Sequence, residues 1–115
     1  MIESNRLEFK RIYTEDIKKE IVAFANSDGG ELIIGMDDNG SIIGVDNPDE
    51  VSARVTNMLR DAISPDITLI TNVSFTSQQD KSLVHVTVSK GGKRPYYITK
   101  KGMTSSGVYV RHGSS

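Results

Sequence analysis

The stretch "FANSDGGELIIGMDDNGSIIG", residues 24–44, decides the fold prediction. It runs from a helix-like segment through two glycines into an apolar run, and then through a polar turn into a second one. "ELIIGM" has too many apolar residues for a strand with one solvent-exposed face, so we predict a central strand that is covered on both sides. Asn39-Gly40 is a strong signal for a hairpin turn, which makes "SIIGV" the predicted partner strand.

The residues before this stretch predict a strand followed by a helix. "RLEFKRIY", residues 6–13, alternates apolar and polar side chains, which is typical of a short strand. Thr14 is the predicted helix N-cap, and Asn26 opens the predicted C-cap. The apolar residues between them repeat at helical spacing and predict one buried stripe: Ile17, Ile21, Phe24 and Ala25.

The residues after it predict a second helix and further strands. Asn47 is the predicted cap of a helix that begins at Pro48 and ends at Ser64-Pro65. Its predicted buried stripe contains Val51, Val55, Met58, Leu59 and Ala62. "ITLITNVSF" and "SLVHVTV" are predicted strands joined by a polar loop, residues 76–82. "PYYIT" and "GVYVR" are predicted to form a final pair of short strands.

These elements predict one α+β domain, a mixed and mostly antiparallel sheet with two helices packed on one face. The chain has 115 residues, enough for one core, with 37% hydrophobic and 25% charged residues. It has no cysteine, which excludes disulfides and cysteine-based zinc sites and fits a cytoplasmic protein. No apolar run approaches the roughly 20 residues of a membrane helix, so no membrane partner is predicted.

The charges are distributed unevenly along the chain. All 15 acidic residues precede Lys81, whereas seven of the 14 basic residues lie from Lys81 onward. This asymmetry indicates a polyanionic partner, because lysine and arginine contact phosphates and an exposed tyrosine can stack on a base. The candidate nucleic-acid-binding residues are Lys90, Lys93, Arg94, Tyr96, Tyr97, Lys100, Lys101 and Arg111. In a strand only one of the two tyrosines can face outward. The alternative is a charged edge strand that resists aggregation.

Carboxylates form a second candidate site. Glu3 and Glu8 flank the first predicted strand, and Asp37-Asp38 close the predicted hairpin. If that strand lies beside the hairpin, these acids converge at one end of the sheet. Clustered carboxylates suit Mg²⁺ or Mn²⁺, which activates water for phosphodiester cleavage, and Lys10 would stabilise the phosphate. The alternative is ordinary turn chemistry, in which Asp precedes Asn-Gly.

Other chemistries find little support in the sequence. No glycine-rich loop ends in Gly-Lys-Ser/Thr, so no ATP site is predicted. His85 occupies an alternating position of "VHVTV" and is predicted to lie on the sheet surface. Without cysteine and without a Ser-His pairing, nucleophilic catalysis is not indicated.

Three blocks of the sequence resemble the signature blocks of the Schlafen AlbA_2 family: "ESNRLEFKR", "IVAFANSDGGELIIGMDDNGSIIG" and "RPYYI…GVYVRHGSS". The resemblance spans Glu3 to Ser115. It implies an α+β fold related by name to Alba-type nucleic-acid binders. Such domains are described as DNA-binding or transcriptional-regulator modules of bacteria and archaea. They usually form the N-terminus of a longer regulator, and in bacterial members a helicase-like or ATPase-like region often follows. Residues 1–115 are therefore expected to be the N-terminal fragment of such a regulator.

The resemblance also implies a set of catalytic residues. Some animal members are RNases that act on tRNA and rRNA through three carboxylates. By motif, their Glu-x4-Glu-Phe-Lys element falls on Glu3, Glu8, Phe9 and Lys10, and their later aspartate falls on Asp38. In the animal proteins two such lobes form one groove, so a single lobe would need to dimerise.

The sequence therefore leaves three functional hypotheses. The first is a nucleic-acid-binding module of a transcriptional regulator, with DNA favoured over RNA and no cofactor. The second is an endoribonuclease that uses Mg²⁺ or Mn²⁺ held by Glu3, Glu8 and Asp38, with Lys10 on the phosphate. The third is a protein-interaction or homodimerisation domain with no nucleic-acid partner.

Overall fold

The computed structural model describes residues 2–112, so Gly113–Ser115, the end of the third sequence block, lie outside the described residues. In chain order the helices and strands are β1 (Leu7–Lys10), α1 (Ile17–Ala25), β2 (Gly30–Ile34), α2 (Pro48–Ala62), β3 (Ile63–Ser64), β4 (Thr71–Gln78), β5 (Lys81–Val88) and β6 (Tyr97–Ile98). Two short 3₁₀ turns, Thr68–Ile70 and Thr99–Lys101, precede β4 and follow β6.

The main sheet has the strand order β1-β2-β5-β4. β1 and β2 run parallel, and the other two neighbouring pairs are antiparallel. β3 and β6 form a separate two-stranded antiparallel sheet. The predicted α+β class, with a mixed and mostly antiparallel sheet, is confirmed.

Both helices pack on one face of the main sheet. Their buried stripes share a core with Leu32, Ile34, Val84 and Val86, which lie on that face of β2 and β5. α2 begins where the sequence predicts, because the Oδ1 atom of Asn47 accepts from the Glu50 amide (3.2 Å) and Pro48 needs no hydrogen-bond partner there.

The opposite face carries a smaller cluster of Phe9, Ile33, Met36 and Leu83. β2 is therefore buried on both sides, as predicted for "ELIIGM". Further along this face a row of hydrogen bonds crosses three strands. His85 Nδ1 lies 3.0 Å from Glu31 Oε2, and His85 Nε2 lies 2.8 Å from Thr76 Oγ1.

The predicted hairpin at Asp37–Gly40 is only partly correct. The turn exists, since the Asp37 amide donates to Ser41 O (2.9 Å) and Gly40 donates to Asp37 O (2.8 Å). However, "SIIGV" is not a partner strand, and a single bridge joins Met36 to Ile42. Gly35, at a φ of +105°, turns the chain away from the ladder, and its carbonyl accepts from residues 43 and 44 instead.

Two strand boundaries were also predicted wrongly. The polar loop at residues 76–82 is a two-residue turn, because β4 and β5 pair up to Gln78 and Lys81. Gln79 and Asp80 both have positive φ, the conformation that a tight hairpin requires. At the other end β4 starts at Thr71, because Thr68–Ile70 forms a 3₁₀ turn whose Ile70 amide bonds to Ile67 O.

Thr14 is not the helix cap. Turn hydrogen bonds from Ile17, Lys18 and Lys19 to the carbonyls three residues earlier delay the start of α1 to Ile17. "GVYVR" is not a strand either. Its main chain bonds to the end of α1, and β6 pairs with β3 instead.

No helix within residues 2–112 is long and apolar enough to cross a membrane.

Candidate nucleic-acid interface

The side chain of Asn26, at the end of α1, holds two later parts of the chain. Its Oδ1 accepts from the Tyr96 amide at 2.6 Å, and its Nδ2 donates to Tyr96 O and to Tyr109 O, both at 2.9 Å. All three bonds join residues at least 70 positions apart. Asn26 therefore fixes the main chain that carries the basic residues.

The buried side chain of Tyr96 holds the main chain at Lys93 from the side of the core. It is 2% exposed and lies in the core, and its hydroxyl accepts from the Lys93 amide at 3.2 Å. The Gly91 amide donates to Ala25 O at 2.9 Å, and a side chain at Gly91 would collide with the Tyr96 ring. The loop between β5 and β6 is thus packed tightly against α1. Tyr97 is only half-buried.

Five cations project from this framework: Lys90, Lys93, Arg94, Lys100 and Lys101, which we call the basic segment. All five are exposed, and none forms an ion pair with a carboxylate of the described chain. The charge of one member reaches a carboxylate: hydrogen bonds from Thr68, and to a smaller extent the charge of Lys93, lower the pKa of Asp66. The segment therefore carries five exposed positive charges, of which Lys93 is partly balanced by Asp66.

Arg111 is different from the other predicted phosphate contacts. Its side chain is 1% exposed, and its Nη1 donates to Glu8 Oε1 at 2.9 Å and to Glu20 Oε2 at 3.0 Å. The guanidinium lies over the Phe24 ring, 4.6 Å from its centroid, and also donates to the Ser4 carbonyl. Arg111 is thus occupied in the interior, and it ties the C-terminal segment to β1 and α1.

Glu8 is the centre of a charged network. Lys10 Nζ lies 3.7 Å from Glu8 Oε2 and 3.6 Å from Glu20 Oε1. Burial raises the pKa of the Glu8 carboxyl above its ordinary value; the Arg111 hydrogen bond and Lys10 oppose this rise, and the charges of Glu20 and Glu3 add to it. In this arrangement Glu8 is held by two cations from the protein itself.

The other two predicted metal ligands have separate surroundings. Glu3 is close enough to Glu8 to affect its pKa, but its Oε2 accepts from the Phe9 amide at 2.8 Å. Asp38 is exposed in the turn, where its amide donates to Asp37 Oδ1, and Asp37 pairs with Arg11 at 3.1 Å. Within residues 2–112 no three acidic or histidine side chains are grouped as a metal site would require.

A cavity of about 630 Å³ lies between α2, the start of α1 and the turn at Thr99–Lys101. At its rim Arg54 lies over the Tyr13 ring, 4.6 Å from the centroid. The Tyr13 hydroxyl donates to Glu15 Oε2 at 3.0 Å. Burial and this acceptor raise the pKa of Tyr13 to about 12, so the hydroxyl keeps its proton near neutral pH.

Sequence reasoning missed several residues of these sites. The sequence indicated Asn26 only as the residue that ends the first helix. Its place in a short polar run before two glycines was the one feature that could have indicated a further role. Glu20 and Tyr13 gave no signal, because their partners lie far away in the sequence.

The sequence model of the Schlafen AlbA_2 family matches residues 3–115. The chain belongs to the Schlafen AlbA_2 family. The predicted resemblance is thereby confirmed over nearly the whole length of this AlbA_2 domain.

Two solved structures are similar to this AlbA_2 domain in fold. The first is the solution NMR structure of the N-terminal domain of a RecG-related protein from Nitrosomonas europaea, named for an ATP-dependent DNA helicase. It has a TM-score of 0.68 and 24% identity, and the match covers 96% of this chain and 78% of that one. The second is a crystal structure from Corynebacterium diphtheriae, with a TM-score of 0.66 and 19% identity. That match covers 96% of this chain and 21% of the other, so the domain spans about a fifth of that protein. No curated protein matches the sequence.

Proposed function

We propose that this AlbA_2 domain binds nucleic acid, with DNA as the favoured partner, through phosphates contacted by the basic segment. The observation that supports this most directly is the set of five exposed cations without a carboxylate partner within the described chain. The main chain around Lys93 and Arg94 is held by hydrogen bonds that involve Tyr96 and Asn26, so little main-chain ordering is needed there on binding. The buried Tyr96 side chain supports the segment at Lys93 from the interior.

The family and the fold are consistent with this proposal. The similar Nitrosomonas domain is the N-terminal domain of a protein named as related to an ATP-dependent DNA helicase. We propose that the present domain is likewise the N-terminal module of a longer regulator, and that it brings the rest of that protein to DNA. The mechanism is electrostatic, since each phosphate contact releases counterions.

The salt dependence of binding tests this proposal. In the double variant Lys93→Ala/Arg94→Ala, the slope of log K against log salt for duplex DNA should flatten by about 1.8, because each lost contact contributes roughly 0.9. Fluorescence anisotropy between about 50 and 200 mM salt measures this slope. The matched control is Arg11→Ala/Arg60→Ala, which removes two exposed cations that are paired with carboxylates. Equal slopes for the wild type and the Lys93/Arg94 variant would contradict the proposal.

The carboxylates are less consistent with a metal-dependent nuclease. Glu8 is neutralised by Arg111 and Lys10, and Asp38 lies apart in a turn. A cation at Glu8 would have to displace a guanidinium whose side chain is 1% exposed. We therefore assign Glu8 and Glu20 a structural role in this domain.

A specific feature favours a second function, self-association through β4. This edge strand has eight residues, "TNVSFTSQ", with no charge and no proline to discourage pairing with another chain. The Ser89 amide donates to Ile70 O, and along an antiparallel pair every second residue is hydrogen-bonded to the partner strand. The N–H and C=O groups of the residues in between, including Val73 and Phe75, therefore point away from β5. Phe75 is 46% exposed. We propose a homodimer in which two β4 strands pair antiparallel.

Sedimentation equilibrium tests the dimer. The wild type should approach twice the 12.6 kDa chain mass as its concentration rises. Phe75→Lys should remain monomeric, because it places like charges at the paired edge. Phe75→Thr is the control, since it removes the same ring but keeps an uncharged residue that favours strands. A wild type that stays monomeric throughout would contradict self-association.

A further inference from the structure

The cavity beside α2 has an apolar floor and a polar rim. Met58 and Ile98 are buried at its base, and Ala62 lies at the end of α2. Its volume of about 630 Å³ is ample for one planar heterocycle. Lys100, a member of the basic segment, is part of the same lining, so the cavity adjoins the proposed phosphate-binding surface.

The acidic residues at the rim are neutralised by neighbours within the protein. Glu15 accepts from Tyr13 and lies 3.8 Å from Lys18 Nζ. Asp61 accepts two hydrogen bonds from Arg60, at 2.9 and 3.2 Å. The cations that remain without a carboxylate partner within residues 2–112 are Arg54 and Lys100. The uncompensated charge at the cavity is therefore positive.

The rim also offers a flat surface and a hydrogen-bond donor. The Arg54 guanidinium lies over the Tyr13 ring, 4.6 Å from its centroid, and both side chains line the cavity, so each brings a planar group to it. A guanidinium plane is a common stacking surface for nucleobases. The Oδ1 atom of Asn57 accepts from Arg60 at 3.2 Å, which leaves its amide nitrogen to donate to the edge of a base.

We infer that this cavity binds one unpaired nucleobase, stacked on Arg54, of a single strand whose adjacent phosphates lie on Lys100 and Lys101. The inference rests on the proposed function, because the same basic segment holds the phosphates. It adds that the domain discriminates single strands from duplexes, since a paired base cannot enter a cavity of this kind without leaving its stack. Both DNA and RNA single strands carry such bases.

The test uses oligonucleotides that contain one 2-aminopurine, as single-stranded DNA, single-stranded RNA and duplex DNA. The wild type should bind both single strands with a change in 2-aminopurine fluorescence, and the tighter of the two identifies the natural source. Arg54→Lys keeps the charge but removes the planar stacking surface. It should weaken single-strand binding about tenfold and abolish the fluorescence change, while duplex binding stays unchanged.

Two further variants separate this inference from the proposed function. Arg11→Lys is the matched control, because Arg11 is an exposed arginine that pairs with Asp37 and lies outside the cavity lining. Lys93→Ala/Arg94→Ala should weaken binding to all three ligands. If Arg54→Lys behaves like the wild type on single strands, or if the wild type binds only duplex, the cavity inference is wrong and the proposed function stands. If the wild type binds none of the ligands, both are wrong.

Discussion

At the scale of single residues, the sequence predicted the position of Asn26 at a helix end but not the hydrogen bonds that its side chain forms. The sequence predicted that α1 ends near it, and the helix does end at Ala25. Its three hydrogen bonds to Tyr96 and Tyr109 could not be predicted, since those partners lie 70 and 83 residues away. A polar side chain at a helix end can form hydrogen bonds with several neighbouring groups, and only the tertiary fold determines which partners it has.

Arg111 is a second residue whose role depends on distant partners. As the last of a run of cations without intervening acids, it was predicted to contact phosphate. Its counter-ions, Glu8 and Glu20, lie 103 and 91 residues earlier. Composition along the chain cannot reveal such pairing, so it does not distinguish the buried arginine from the exposed lysines.

Arg111→Met should destabilise the domain by about 3 kcal/mol near pH 7, because it leaves the Glu8 carboxylate buried without its main counter-ion. The pKa of Glu8 is already above its unfolded value, and the substitution raises it further. A carboxyl with a raised folded-state pKa takes up its proton more readily in the folded state, so stability increases as the pH falls through that range. The cost of the substitution should therefore be smaller at about pH 5 than at pH 7.

Urea denaturation at both pH values measures this effect. The control is Arg60→Met, which removes an arginine from a fully exposed pair with Asp61 and should leave the unfolding midpoint unchanged. An Arg111→Met cost that is the same at both pH values would argue that Glu8 is not the group left unpaired.

At the scale of elements, prediction succeeded where the signals are local. The start of α2 was correct because Asn47 and Pro48 satisfy the first turn from adjacent positions. "GVYVR" alternates like a strand, yet its carbonyl at Tyr109 and amide at Arg111 bond to Asn26 and Ser27. Alternation predicts which side chains turn inward, but it does not reveal which main-chain partner is available.

The turn between β4 and β5 gives a prediction at this scale. Gln79 and Asp80 have φ values of 54° and 60°, a conformation that costs residues other than glycine roughly 1–2 kcal/mol each. The substitution Gln79→Asn/Asp80→Gly matches the residues preferred in such turns and should raise the free energy of unfolding by about 1 kcal/mol. Chemical denaturation measures the gain. Gln79→Ala, which keeps the strain, should show none.

At the scale of the whole molecule, the sequence predicted the class of fold but not the order of the strands. The parallel pairing of β1 with β2 arises because α1 crosses over between them, whereas the hairpin that the sequence favoured contributes one bridge. The same difference in strand pairing determines where the three predicted carboxylate ligands lie. Glu3 and Glu8 are neighbours at β1, but Asp38 lies in the turn after Gly35 and does not join them in a metal-binding group within residues 2–112.

This arrangement predicts the response of the domain to metal. Incubation of the wild type with tRNA and millimolar Mn²⁺ should leave the RNA intact, and Mn²⁺ should not raise the melting temperature, because binding to the folded state would stabilise it. A denaturing gel and differential scanning fluorimetry measure the two results. Cleavage that is lost in Glu8→Ala but kept in Asp46→Ala, an exposed acid outside the set, would show that Glu8 does hold a catalytic metal.

The contact between Arg111 and Glu8 also has a consequence for biosynthesis. On the ribosome Glu8 is made early, and Arg111 emerges only after all the strands and both helices. Until then, docking β1 against α1 would bury Glu8 near Glu20 without their shared cation. The nascent chain is therefore penalised for closing its core early, and we expect the domain to complete its folding only once residue 111 has emerged from the ribosome.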